Sequence, residues 1–484
     1  MADPTLTDVS AQIADVQTAI NIAWTLLAGF LVMFMQAGFA LVETGLTRGK
    51  NAAHTMGMNI LVYGIGILGF WSIGFALQMG GVGAIGTFGG DATLSHEFAI
   101  TLAGKELGLF GLKGFFLTGT NFTAAVAAMF LFQMVFMDTA ATIPTGAMAE
   151  RWKFLAFCAF SLVVSTVIYP VYANWTWGGG WLSTLGKNYG LGHGHVDFAG
   201  SSVVHMTGGV MAFVGAKMLG PRQGKYGKNG EVRAIPGHNL PMVVLGTLIL
   251  AFGWFGFNAG STMAGTDVRI AVIATNTMLA SASGMAASTV YVWTRFGKPD
   301  VTMICNGMLA GLVAITAPCA FVSAPAAVLI GAIAGVLVVL ATLFVERKLK
   351  VDDPVGAVAV HGVCGTLGIL SVGIFSNGTY GDGLNGVAGG VRGVLYGDKG
   401  QLAASCIGVV ANVIYVGAMS AAAMFVVGKT IGNRVSSDDE KSGLDVAEMG
   451  VEAYAGGETR HASIPEDPEE VTVPARVVAR EAST

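Results

Sequence analysis

The sequence predicts an all-α polytopic membrane protein. It reads as eleven transmembrane helices, an inverted repeat of five plus five with an eleventh helix outside it, N-terminus out and C-terminus in. Three observations predict this. Of 484 residues, 53% are hydrophobic and only 12% charged, against about 25% charged in an ordinary soluble domain. Eleven apolar segments come close to or exceed the roughly 20 residues a helix needs to cross a bilayer. Two related stretches, DFAGSSVVHMTGG from Asp197 and DPVGAVAVHGVCG from Asp353, open the fifth and tenth of those segments. They lie five crossings apart and therefore run in opposite directions.

In chain order, residues 1–19 form an extracytoplasmic N-terminal segment. They lack the basic stretch of a secretory signal and read as uncleaved. Residues 20–431 are the membrane domain. Its spans fall at about 20–45, 54–79, 117–149, 154–175, 199–219, 239–261, 268–294, 301–319, 325–345, 355–375 and 402–428. The repeat halves are about 20–219 and 239–375, and a second echo joins them. TLLAGFLVMFMQAG (Thr25–Gly38) and TLILAFGWFGFNAG (Thr247–Gly260) share Thr, Leu, Phe, Ala and Gly at equal offsets. With the C-terminus inside, the inner loops and the end of the last span hold sixteen Lys and Arg, and the outer segments hold six. The positive-inside rule favours that orientation. Residues 432–484 turn acidic and polar, as expected of a cytoplasmic tail unstructured at its far end. The 70 glycines, without a collagen period, suit helices packed closely in lipid. Five cysteines, all in apolar segments, read as packing residues. A net charge of −4 without a basic cluster gives no reason to expect nucleic acid as a partner.

An ionisable side chain inside a span is a functional candidate by default, which brings His205 and His361 forward. The alternative is a core histidine bonded to a neighbouring helix. Equal depths in opposed copies bring both rings to the repeat axis, where one nitrogen of each can bond the other and the remaining nitrogens face a conduit. A neutral imidazole offers one donor and one acceptor, so such a pair can relay a proton or bind a small polar solute. A metal is the rival ligand, but no third His, Cys or carboxylate recurs in the two stretches. No metal and no cofactor are expected. Asp197 and Asp353 precede their helices, where a carboxylate accepts from free backbone N–H groups; direct solute contact is the alternative. Aromatic residues near span ends belong by composition to interfacial belts. Their functional reading is a cage for a small cation, built from Phe136 and Trp177, with Ser261 adding a hydroxyl and Phe132 and Phe257 closing the throat. Asp138 could bond a neighbouring helix, face a water pocket or tune cation entry. Glu43 is expected to cap or pair with groups at the cytoplasmic side.

These stretches, together with GWFGFNAGS, GAMAER and GHNLPMV in the same order, resemble the Amt/Mep/Rh family of ammonium transporters, on its Amt side, over about residues 20–454. The resemblance implies a homotrimer in the cytoplasmic (inner) membrane with a pore through each subunit. It implies that His205 and His361 are twin pore histidines, that Phe136, Trp177, Ser261 and Asp197 belong to an outer cation site, that Phe132 and Phe257 form a stacked gate, and that Trp254 lines the pore. Ammonium would be recruited outside, deprotonated, and passed as ammonia with a separate proton. Departures are Asp138, Asn306 in place of a frequent Ser, and a longer stretch between Trp177 and Asp197. The tail segment GLDVAEMGVEAY resembles the end that contacts PII-type signalling proteins, with Met449 and Val451 in place of His and Glu. Competing readings are an ammonium sensor acting through the tail and an Rh-type neutral gas channel. No nucleophile–base pair or cofactor loop suggests an enzyme.

Overall fold

The computed structural model describes residues 5–90 and 92–454. The tail beyond 454, expected to be unstructured, lies outside the described residues. Among the described residues, ten helices are long and apolar enough to cross a membrane. We number them with one shorter helix in chain order: α1 Leu6–Leu46, α2 Gly49–Met79, α3 Ala124–Met148, α4 Phe154–Trp177, α5 Ser201–Leu219, α6 Leu240–Thr262, α7 Arg269–Phe296, α8 Val301–Ile315, α9 Ala324–Arg347, α10 Val358–Phe375 and α11 Lys399–Thr430. The chain is a multi-pass membrane protein.

Several bounds differ from the sequence expectation, each for a local reason. Helix α1 begins at residue 6, not 20, because Thr5 and Asp8 form a capping box. Thr5 Oγ1 accepts from Asp8 N at 3.2 Å, and Asp8 Oδ2 accepts from Thr5 N at 2.9 Å. Most of the expected N-terminal segment is therefore helix. Helix α3 starts at Ala124, later than expected, because Phe116 and Leu117 adopt positive φ and Thr123 caps the helix through Val126 N. Helix α8 stops at Ile315, not 319. Ser201 Oγ enters its hydrogen-bond ladder, donating to Val313 O and accepting from Ala317 N, both at 2.8 Å; a side chain inserted this way breaks a helix. Helices are not quite the whole fold. Between α2 and α3 an antiparallel hairpin pairs β1 (Glu97–Leu102) with β2 (Lys105–Gly111), Glu97 opposite Gly111 and Leu102 opposite Lys105.

Small residues set the helix spacing. Helices α1 and α6, which carry the echoed sequences, pack along their length: a Cβ on Gly256 would lie 2.5 Å from Ala28 O, and one on Gly246 2.6 Å from Gly38 O. Helices α5 and α10 cross in the same manner. A Cβ on Gly209 would meet Gly362 N at 2.1 Å, and one on Gly365 would meet Ser201 O at 2.6 Å. These are the two glycines that stand four residues after each histidine.

At the end of the bundle holding Arg48, four connections are tied by a buried ionic cluster. Arg222 grips Asp352 through Nε and Nη2 at 2.8 and 2.9 Å and reaches Glu150 through Nη1 at 2.8 Å. Arg48 takes the other Glu150 oxygen. Burial alone would push the Glu150 carboxyl up, but the Arg222 and Arg48 guanidinium groups hold it below its ordinary value. Asp352 is held well below its own by Arg222 in the same way, again against its burial. Residues 432–454 fold back over this end. Glu440 binds Arg434 Nη2 at 2.7 Å and Gln223 N at 2.7 Å, Asp445 accepts from His54 N at 2.9 Å, and Glu448 from Phe154 N at 2.8 Å.

Candidate functional site

The two Asp–His stretches fold alike. Asp197 accepts at Oδ1 from Gly200 N and Ser201 N, and at Oδ2 from Ser202 N, Ser202 Oγ and Val203 N, all between 2.8 and 2.9 Å. Asp353 accepts from Val355 N, Gly356 N and Val358 N. Both aspartates are followed by a glycine at positive φ, Gly200 at 116° and Gly356 at 80°, a backbone that side-chain-bearing residues avoid. Both helices then open in π geometry, over Ser201–Met206 and Val358–Val363. A π turn is a frequent mark of a functional site, and here each contains the histidine.

That geometry brings the rings together. His205 Nδ1 and His361 Nδ1 lie 3.1 Å apart, with ring centroids 5.2 Å apart. Both rings are buried. His205 packs on both Trp254 and Phe257, each centroid at 5.3 Å, and those two rings touch each other at 5.7 Å. Trp254 is itself fixed by a 3.0 Å hydrogen bond from Nε1 to Thr316 Oγ1. Beyond Phe257 the column continues to Phe136, stacked at 4.2 Å, and then to Trp177, edge-on at 6.0 Å. Below His361 stands Phe39, at 6.0 Å. Five aromatic side chains and two imidazoles thus make a cluster through the bundle, and Phe136, Phe257 and Trp254 are fully buried.

Two sequence assignments change place. The ring stacked on Phe257 is Phe136, whereas Phe132 was expected there. Phe132 lies one turn away, 4.7 Å from Phe136 and tilted against it, beside Gly260. Residues four apart share a helix face, so spacing could not tell which ring reaches Phe257. Asp197 was expected to cap its helix and also to contact the cation, and its carboxylate is wholly engaged by N–H and O–H donors. What reaches the aromatic residues is its main-chain carbonyl, which accepts from Trp177 Nε1 at 2.7 Å. Ser261 donates to Phe257 O at 2.7 Å, leaving its oxygen lone pairs available.

Other contributors were not singled out by the sequence. His195 Nε2 lies 2.9 Å from Ser202 Oγ, which in turn donates to Asp197; burial holds His195 down to about 4 despite the opposing charge of Asp197. Ser201 ties α5 to α8, and Phe39 packs on His361. Among the described residues, Glu43 pairs with no cation. Its Oε2 accepts from Asn59 Nδ2 at 2.7 Å and from Thr145 Oγ1 at 2.6 Å. Asp138 is buried in α3, and among the described residues its Oδ1 has no hydrogen-bond partner. Among the described residues, no group of three His, Cys, Asp or Glu could hold a metal ion.

Comparison with known proteins follows the same lines. Residues 23–454 match the Ammonium Transporter Family. Ammonium transporter Amt2 of Archaeoglobus fulgidus is 44% identical over 90% of this chain and 88% of its own. An ammonium transporter of Aquifex aeolicus is 34% identical over 90% and 93%. Among solved structures, one named Sensor Amt Protein superposes with a TM-score of 0.77 at 35% identity, over 90% of this chain and 99% of that one. Candida albicans Mep2 superposes at 0.70 and 26% identity, over 87% of each chain.

Proposed function

We propose, from the premise that this chain belongs to the ammonium transporter family, that it takes ammonium at the Trp177 end, removes a proton, and conducts ammonia between His205 and His361. It is a transporter and not an enzyme. The observation that carries the mechanism is the ring column closed by the 3.1 Å histidine pair. Potassium and ammonium are alike in size and charge, so an aromatic cage of Phe136, Trp177, Phe132 and Ser261 separates them poorly. A throat sealed by Phe136, Phe257 and Trp254 separates them well. A bare cation there would cost several kcal/mol or more, whereas ammonium can leave its proton and cross neutral. The released proton travels separately along the imidazoles, and the cycle moves charge.

The same reading sets the Trp177 end outside, the Arg48 end in the cytoplasm, and the two halves as opposed repeats in the inner membrane. The pairing of α1 with α6 and of α5 with α10 supports it, because a twofold axis between halves pairs equivalent helices. A homotrimer is supported by Leu6, Val9, Ile13, Val16 and Ile20. They form an exposed stripe at alternating spacings of three and four at the start of α1, and β-branched residues, which fill both core positions after Leu6, favour assemblies of more than two strands.

The test is ammonium-evoked current with parallel uptake in proteoliposomes for wild type, His205→Ala and His361→Ala. Wild type should carry current with ammonium and none with potassium, and each variant should lose most of it. Unchanged selective currents in both variants would overturn the mechanism, and uptake without current would remove the separate proton. The tail packed over the inner loops favours a second reading, in which occupancy is reported to a PII-type partner. A chain cut after residue 431 that transports normally but no longer retains such a partner would support it.

A further inference from the structure

On the Arg48 side of His361 lies a small cavity of about 20 Å³, room for one molecule the size of water or ammonia. Its walls include Phe39, Glu43, Ile143, Asn306, Val355 and His361. His361 spends Nδ1 on His205 and lines this space, and among the described residues its Nε2 makes no hydrogen bond. Glu43 stands one turn along α1 from Phe39, and its side chain is buried. Among the described residues no cation pairs with it, and the charge bearing on it is the like charge of Asp353. A carboxyl group sealed in a span without a counter-ion is costly, and the solute proposed above is a small cation.

The contacts of Glu43 accommodate two states. Thr145 Oγ1 has a single hydrogen and two acceptors at 2.6 Å, Glu43 Oε2 and Thr142 O. With Glu43 ionised, Thr145 donates to it. With Glu43 protonated, the acid donates to Thr145, and Thr145 turns to Thr142 O. Asn59 Nδ2 holds the carboxyl group in place in either state, and no side chain has to move.

We propose that Glu43 and this cavity form an inner ammonium site, at which ammonia leaving the histidine pair becomes an ion again. Ammonia takes the carboxyl proton, an N–H bond forming with its lone pair as the O–H bond breaks. The ammonium–carboxylate pair persists until the ion leaves for the cytoplasm and a proton from water restores the acid. The proposal rests on the transport reading above. It makes this end a binding site for cytoplasmic ammonium as well.

The test uses the purified full chain and dicyclohexylcarbodiimide, which attaches to carboxyl groups in apolar surroundings, with peptide mass spectrometry as the readout. In sodium chloride Glu43 should be labelled. Ammonium chloride at ten times its dissociation constant should slow that labelling about tenfold and leave the rate at Asp138 unchanged. Equal labelling of Glu43 in the two salts would overturn the proposal, as would a Glu43 unreactive in both. In proteoliposomes, ammonium loaded inside lowers the driving gradient for both proteins, so at the same gradient it should depress the evoked current of wild type further than that of Glu43→Gln, with monodispersity of the variant checked by gel filtration. Equal depression in both would also overturn it. A wild type with neither evoked current nor uptake would sink the transport reading instead, and the labelling would still report on binding.

Discussion

Glu97, the first residue of the hairpin, shows how one half-buried group writes itself into stability. Burial pushes its carboxyl up to about 7, against the opposing hydrogen bond from Asn174 and with help from Glu106. Between its ordinary value of 4.5 and about 7, the folded chain keeps a proton that the unfolded chain has released. Each rise in pH across that window therefore favours unfolding. The melting temperature should fall from pH 4.5 to 7 in wild type and stay flatter in Glu97→Gln, measured by thermal scans in detergent. At this scale the sequence was legible where chemistry repeats. His205 and His361 stood out because each lies eight residues past an aspartate in an apolar run, and the same repetition marked the caps. It was not legible where only direction matters. Phe132 and Phe136 share a helix face, and which one stacks on Phe257 depends on a neighbour far along the chain. Glu43 looked like a residue at the end of a span because its partners Asn59 and Thr145 lie on two other helices.

Among elements, the crossing of α5 and α10 governs the site. Both histidines sit in π turns fixed by capped aspartates, and their separation depends on how closely the two backbones approach. Gly209→Ala places a methyl group 2.1 Å from Gly362 N, which neither main chain can yield without moving. Overpacking of this kind costs about 1–3 kcal/mol. The larger effect should be on function: the variant should remain folded with a lowered melting temperature and lose its ammonium current. Gly417→Ala, whose added methyl group meets only Val210 at 3.8 Å, should be neutral in both assays. Apolar length predicted the existence and order of the helices. It did not predict the breaks, because the end of α8 is set by Ser201 from another helix and the start of α1 by a two-residue cap.

Across the whole molecule, the Arg48 end is bound by charge and the membrane interior by close packing of small residues. Arg222 joins Glu150 and Asp352 where neither carboxylate has water to turn to. Arg222→Ala leaves both buried with reduced compensation, a loss of about 3–5 kcal/mol. It should show as a lower melting temperature that added salt does little to alter, since buried pairs are weakly screened. Basic residues in the connections were visible in the sequence as an orientation signal. That two of them would be consumed in a cluster was not, because their acidic partners come from connections far apart along the chain.

The 3.1 Å contact between His205 and His361 has one more consequence. Both rings use Nδ1, so a single hydrogen lies between them, and a neutral pair cannot be symmetric. The ring that lends this hydrogen has a bare Nε2, and the ring that receives it carries its own hydrogen on Nε2. The pore therefore always has a sense, with a donor facing one side and an acceptor the other. Any proton handed through the pair reverses that sense, and the pair must be reset before it can hand on another in the same direction.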